Sequence, residues 1–318
     1  MKLVTILGPT CSGKTEMAIN LAKHLHLIQQ TVWIVGCDSK QIYTNLNIGT
    51  AKINGVWEND DRYSQNKAFF YQNIPHFLID YIDPFEIQNY CQVNYLEDFS
   101  KLFLKMKPDY LILVGGTGFY AKNIYQNNSF LTTKSEFTLT QKNYKLELEN
   151  FNLEKLQQLY LNLDQNQPSF RILNQSDKQN KIRIISLLAE VKGFQNNWFE
   201  SKKLPEFDKK YLFKIEIEKD KLNQNISLKV RQRLEQGFLE EVTNLLNKGL
   251  NSEFLLKIGL DYRLALLYLK GFINYPDFVT KSIQENQKYA KRQQTWLQKE
   301  PLIGINNLKD IVEVIEPV

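Results

Sequence analysis

Gly8-Pro9-Thr10-Cys11-Ser12-Gly13-Lys14-Thr15 matches G-x-x-x-x-G-K-[ST], the spacing of a phosphate-binding loop. Gly8 and Gly13 let the backbone close around phosphate oxygens with no Cβ in the way. Lys14 would reach across the bound phosphates, and the Thr15 hydroxyl suits Mg²⁺. The loop predicts a di- or triphosphate ligand without choosing a reaction. Asp38, which closes a second apolar run, could take a proton from an incoming amine or hydroxyl. Asp-Ser is equally a common turn or capping pair, and spacing alone weighs the two readings evenly. Near the end of the chain, Lys288, Lys291, Arg292, Thr295 and Lys299 fall on one side of a helix at about 100° per residue. Tyr289, Trp296 and Leu297 fall on the adjacent apolar side. A basic stripe beside aromatics fits a helix that lies on the core and grips an RNA backbone. A solvated amphipathic face is the plainer alternative. Lys229 and Arg233, one turn apart, could also reach phosphates, or could pair with acids such as Glu235.

These groups need elements to hold them. Leu3–Leu7 reads as a buried strand, the Gly-rich loop as a turn, and Glu16–Lys23 as a helix. Together they predict a nest of backbone N–H groups at a helix N-terminus. Thr31–Val35, His76–Asp80 and Tyr110–Val114 are further strand-like runs, and Tyr95–Met106 has helical spacing. A polar loop is expected between the second and third strands. Near-continuous apolar strands alternating with helices predict an α/β fold with a parallel sheet flanked by helices. Ligands of such sheets collect at the carboxyl ends of the strands. The phosphate loop, Asp38-Ser39 and Gly115-Gly116-Thr117 should therefore share one crevice. From 126 to 205 strand-like runs vanish and polar helical segments take over, at 142–150, 153–163 and 181–191. This predicts a helical insertion within a core of 1–125 and 206–318. Phe213–Ile217 then reads as a strand resuming the sheet. Long helices are expected at 227–247 and 277–298, with Pro276 suited to the first turn of the latter.

At 318 residues the chain is ample for a buried core, and 43% hydrophobic with 24% charged residues is ordinary for a soluble globular protein. A net charge of +5 permits an anionic partner without demanding one. No apolar run approaches the roughly 18 residues of a membrane span. The N-terminal apolar run is too short for a signal peptide and belongs to the fold. Three separated cysteines give no zinc or disulfide framework, so reduced thiols and a cytoplasmic location are expected. No strand ends in the hydrophobic run plus Asp of a motor ATPase.

Later segments make the pattern specific. Asp38–Tyr43, Asn47–Lys52, His76 through Asp83-Pro84, Gly115–Tyr120, Gly237-Phe238 with Glu240-Glu241-Val242, Ile258-Gly259 and Ala290–Trp296 stand in order over most of the chain. With the phosphate loop, they resemble the tRNA dimethylallyltransferases, also called tRNA isopentenyltransferases. The resemblance implies a P-loop NTPase-like core. It also implies transfer of a dimethylallyl group from dimethylallyl diphosphate to the exocyclic amine of the adenosine 3′ of the anticodon. In that reading Gly8, Pro9, Thr10, Cys11, Ser12, Gly13, Lys14 and Thr15 cradle the diphosphate, with Mg²⁺ at Thr15. Asp38 becomes the general base. Ser39, Lys40, Gln41 and Thr117 meet the target base and the tRNA anticodon stem-loop, as do Lys291, Arg292, Gln293, Gln294, Thr295, Trp296, Leu297 and Gln298.

Two positions depart from the family pattern. Lys229 stands where an arginine usually binds the diphosphate, with Arg231 or Arg233 able to compensate in a shifted register. In the family the insertion carries an Arg-Ala-Leu-Glu helix that touches tRNA; here it keeps Arg183 as a tRNA contact but places Ser186 where the arginine is expected. Rival readings are an isopentenyltransferase acting on free adenine nucleotides, an ATP-using small-molecule kinase, and a tRNA-binding protein without catalysis. The insertion, the basic helix, the intact loop and Asp38 favour the tRNA-modifying enzyme, expected as a monomer.

Overall fold

In the computed structural model, which describes residues 1–88, 90–166 and 169–316, the apolar runs become the centre of a sheet. The chain begins β1 (Lys2–Leu7), α1 (Lys14–Leu27), β2 (Val32–Cys37), β3 (Val56–Asn59), β4 (Lys67–Tyr71), β5 (Ile74–Phe77), α2 (Gln92–Lys101), β6 (Tyr110–Gly115) and α3 (Gly118–Gln126). It continues β7 (Phe130–Thr133), α4 (Thr138–Glu149), α5 (Leu153–Leu161), α6 (Gln175–Lys178), α7 (Lys181–Gln195) and β8 (Phe199–Lys202). It ends with β9 (Lys209–Ile215), α8 (Lys219–Glu235), α9 (Phe238–Asn247), α10 (Ser252–Ile258), α11 (Leu260–Leu269), α12 (Tyr275–Leu297), β10 (Ile303–Ile305) and α13 (Leu308–Ile315). Two units separate: Met1–Asn128 with Leu204–Val318, and Ser129–Lys203. Residues 317 and 318, at the end of the expected core segment, lie outside the described residues.

The first unit carries the large sheet, in the order β10-β9-β1-β6-β2-β5-β4-β3. From β10 to β5 the neighbours are parallel. Strand residues alternate between faces. Val4, Ile6, Ile34, Ile112 and Val114 meet α1 and α13 on one face. Trp33 turns the other way, stacking on Phe103 next to Phe99 of α2. The sheet is not parallel throughout: β4 and β3 add antiparallel, where a polar loop was expected. Gln72 and Asn73, at φ 52° and 62°, supply the left-handed pair that closes a tight β4–β5 hairpin.

Other expectations shift in detail. β5 stops at Phe77 rather than Asp80, because Leu78 and Asp80 both take φ 54° and break the strand. The helix expected over 227–247 is two helices. Gly237, at φ 95°, ends the right-handed ladder after α8 and starts α9. Pro276 does sit in the first turn of α12.

The second unit is mostly helical. Leu148, Leu156, Tyr160, Ile184, Leu187 and Leu188 form its core. It is not strand-free as expected: β7 and β8 pair antiparallel, from Phe130 opposite Lys202 to Thr133 opposite Phe199. That pairing joins the two ends of the unit across its whole length, so no local pattern announces it. No helix among the described residues is long and apolar enough to cross a membrane.

Candidate active site

β1, β6 and β2 end level with one another, Leu7 and Cys37 both pairing with Gly115. The loops that leave them therefore meet at one end of the sheet. Gly13, at φ 85°, caps α1, whose first-turn amides lack intrahelical acceptors and make the anion nest. Two distant side chains tie the loop down. Asn225 Nδ2 of α8 donates to Cys11 O (3.2 Å), and Gln293 of α12 bridges it to the β6 turn. Gln293 Oε1 accepts from Thr10 N (2.8 Å) while its Nε2 donates to Gly116 O (3.0 Å). Ser12 Oγ is buried and has no hydrogen-bond partner among the described residues. Lys14 Nζ donates to Pro9 O (3.2 Å). The surrounding protein lowers the Lys14 pKa by desolvation, against the opposing pull of Asp38 and Cys11.

A cavity of about 300 Å³ opens over this loop, walled by Lys14, Thr15, Asp38, Gln41, Gly49, Lys229, Arg233, Asp261, Asn286, Tyr289 and others. Asp38 takes the turn-capping role that its sequence context allowed and also lines the cavity. Its Oδ1 accepts from Lys40 N (2.9 Å) and Gln41 N (3.4 Å), a turn-capping pattern. Its Oδ2 accepts no hydrogen bond from the described residues, which leaves one carboxylate oxygen for a proton. Arg233 is held by Asp261 (3.1 Å) and by Gly49 O (2.9 Å). Lys229 is exposed on the same helix and lines the same cavity. Arg231 is exposed and is not part of the cavity wall.

A second cavity, also about 300 Å³, lies beside the first and shares Tyr289 and Gln293 with it. Its walls are Leu7, Gly8, Ser39, Gly115–Phe119, Arg292, Trp296 and Leu297. Close approach explains the glycines here. A Cβ on Gly118 would overlap the Trp296 ring, and one on Gly116 would lie 2.6 Å from Gln293 Nε2. Thr117 anchors the neighbouring turn, its Oγ1 accepting from Ser39 N (3.2 Å). Phe119 is 67% exposed at the rim, 6.3 Å from Trp296 between ring centroids. Two cations lie near the Tyr289 ring, Lys40 (5.1 Å) and Arg292 (5.7 Å). Burial, with the Asp38 charge nearby, pushes its hydroxyl up to about 12.

The α12 face expected to meet RNA divides in two. Lys288, Lys291, Arg292, Thr295, Gln298 and Lys299 are exposed. Gln293 and Leu297 are 9% and 6% exposed and turn inward, because the core and the phosphate loop claim that side of the helix. Gln294 and Trp296 lie between these extremes. In the other unit Arg183 is exposed on α7 and pairs with Asp177 (2.5 Å), with Ser186 exposed one turn on. Tyr289, Asp261, Asn286 and Asn225 were not anticipated. Asp261, two residues after the Ile258-Gly259 pair, and Tyr289, directly before Ala290–Trp296, lay close to motifs. Among the described residues no group of three or more His, Cys, Asp or Glu side chains is placed to hold a metal.

The sequence pattern of the IPP transferase family matches residues 41–300, and that of isopentenyl transferase matches residues 1–55. The chain belongs to the IPP transferase family. Among relatives, a tRNA dimethylallyltransferase 2 of Shewanella sediminis is 31% identical over 299 residues, covering 93% of this chain and 89% of the relative. A tRNA dimethylallyltransferase of Finegoldia magna is 31% identical over 326 residues, covering 98% and 93%. The solved tRNA delta(2)-isopentenylpyrophosphate transferase of Staphylococcus epidermidis superposes with a TM-score of 0.60 at 25% identity, over 99% of this chain and 97% of that one. A eukaryotic dimethylallyltransferase acting on tRNA shares the fold, with a TM-score of 0.64 at 19% identity, over 98% of this chain and 75% of its own. This IPP transferase family member thus carries its relatives' fold across the whole described core.

Proposed function

We propose that this chain transfers a dimethylallyl group from dimethylallyl diphosphate to the exocyclic amine of the adenosine 3′ of the anticodon in tRNA, releasing diphosphate. The observation that carries the reading is the junction at Asp38-Ser39. Asp38 lines the cationic cavity, and Ser39, its neighbour in the chain, lines the aromatic one. A diphosphate suits the first cavity, with the phosphate-loop amides, Lys14, Lys229 and Arg233 around it. An extruded base suits the second, where Trp296, Phe119 and Tyr289, with two cations near its ring, offer stacking surfaces. The amine nitrogen forms a bond to C1 of the prenyl group as the C1–O bond to diphosphate breaks. The amine proton goes to Asp38 Oδ2, and the bond-breaking electron pair leaves with the diphosphate. Mg²⁺, when bound, neutralises charge on the leaving group, and Thr15 Oγ1 with the diphosphate oxygens would hold it.

Three unpaired cysteines agree with a reducing, cytoplasmic setting. The test offers labelled dimethylallyl diphosphate and Mg²⁺ with an anticodon stem-loop bearing consecutive adenosines, beside AMP. Label is expected on the RNA. Label on AMP and none on RNA would overturn the tRNA reading.

A further inference from the structure

One wall of the cationic cavity is the segment 47–52, through Gly49, Thr50 and Ala51. Its outer side is clasped by a carboxylate from α9. Asn47 N, Ile48 N and Gly49 N donate to Glu241 at 2.8, 2.7 and 3.1 Å. Tyr262 Oη of α11 donates to the same carboxylate at 2.7 Å. Three successive amides form an anion-binding concavity, and here the protein fills it with its own carboxylate. Four donors on one ionised group make these bonds charge-assisted. The peptide is also seated hard on the helices: a Cβ on Gly49 would overlap the Phe238 and Tyr262 rings. The same segment turns its carbonyls toward the cavity. Gly49 O accepts from Arg233 Nη1 (2.9 Å), and Thr50 O accepts from Gln41 Nε2 (3.0 Å).

We infer that Glu241 is a positioning residue of the diphosphate site. By chelating the Asn47–Gly49 amides it fixes the Gly49 carbonyl, and that carbonyl aims the Arg233 guanidinium into the cavity. Glu241 touches no reacting atom and acts through Arg233. The inference rests on the donor-site reading above.

The test is a double-mutant cycle on the full chain, with inorganic diphosphate and Mg²⁺ titrated calorimetrically. Glu241→Gln should weaken diphosphate about tenfold, and Arg233→Ala by about the same factor or more. The double variant should bind no more weakly than Arg233→Ala, because the route through the guanidinium is already gone. Turnover at saturating donor should stay within about twofold for Glu241→Gln, placing the defect in donor KM rather than in kcat. Tyr262→Phe removes one donor and spares the amides. Its expected loss of about two- to threefold should likewise vanish in the Arg233→Ala background, which keeps the inference testable if Glu241→Gln misfolds. Additive losses would overturn the inference, and so would wild-type affinity in Glu241→Gln. Both of those failures leave wild-type diphosphate binding intact. Absence of diphosphate binding by the wild-type chain would take down the donor-site reading and the inference together.

Discussion

In the unit that carries the cavities, polar side chains are fixed by partners far along the chain. Gln293 is held by Thr10 and Gly116, Arg233 by Gly49 and Asp261, and Glu241 by three amides of 47–49. In the inserted unit the polar partners are mostly near neighbours. Asn152, Asn174 and Asn180 cap their own helices by accepting from Lys155 N, Asp177 N and Arg183 N. Arg183 pairs with Asp177, and Arg171 with Glu190. Local capping stabilises one helix, by about 1 kcal/mol. A long-range bond instead couples elements far apart in the chain, so its loss should reach the site.

That contrast can be broken or sharpened by experiment. The largest effect is expected at Asp38. Asp38→Asn keeps the Oδ1 acceptor for Lys40 N and Gln41 N but removes the base, so kcat should fall by about 10²–10⁴ with diphosphate affinity unchanged. Retained turnover in a rapid-quench assay would refute the base.

Next comes His76, buried in the core, its Nε2 without a hydrogen-bond partner among the described residues. Burial lowers its pKa to about 4 from 6.5. The unfolded chain therefore takes the proton first as pH falls. Stability is fully present above pH 6.5 and drains away toward pH 4, by about 3 kcal/mol. Denaturant melts across that window should show the loss, and His76→Phe should flatten that part of the profile.

Gln293→Leu removes two bonds joining loops that are far apart in sequence, and should cost about 1–3 kcal/mol, seen mainly as a raised donor KM. An unchanged KM would mean that the phosphate loop holds its shape without α12. The smallest effect belongs to the inserted unit. Arg183→Ala removes the exposed member of a surface pair worth at most about 1 kcal/mol, and donor binding should not move. A rise in KM confined to the RNA would identify Arg183 as an RNA contact, and a changed diphosphate affinity would erase the contrast between the units.

The reach of sequence reasoning follows the same division. β1, β2 and β6 were legible because a strand buried on both faces is apolar throughout. The helices of the inserted unit were legible from their own periodicity. The β7–β8 pair was not, since each partner is four residues and their contact spans the unit. The single helix expected over 227–247 failed at Gly237, where one backbone angle outweighs helical periodicity on both sides. At the site, Lys14, Thr15 and Asp38 announced themselves by type and spacing. Tyr289 read as an apolar flank, and only the fold shows that it lines both cavities. Gln293 read as an RNA contact, and its burial makes it a brace for the phosphate loop.

The sequence by itself determined that a phosphate loop follows a buried strand, that a carboxylate follows the next, and that a basic helix closes the core. Local propensity and periodicity suffice for these, because each is a property of a few consecutive residues. Tertiary structure alone decided that Asp38 splits its two oxygens between a turn and the open cavity, that Arg233 rather than Arg231 faces the loop, and that Glu241 fills the nest at 47–49. Each of these depends on which distant group completes a buried hydrogen bond, and folding settles that by satisfying every buried polar atom at once.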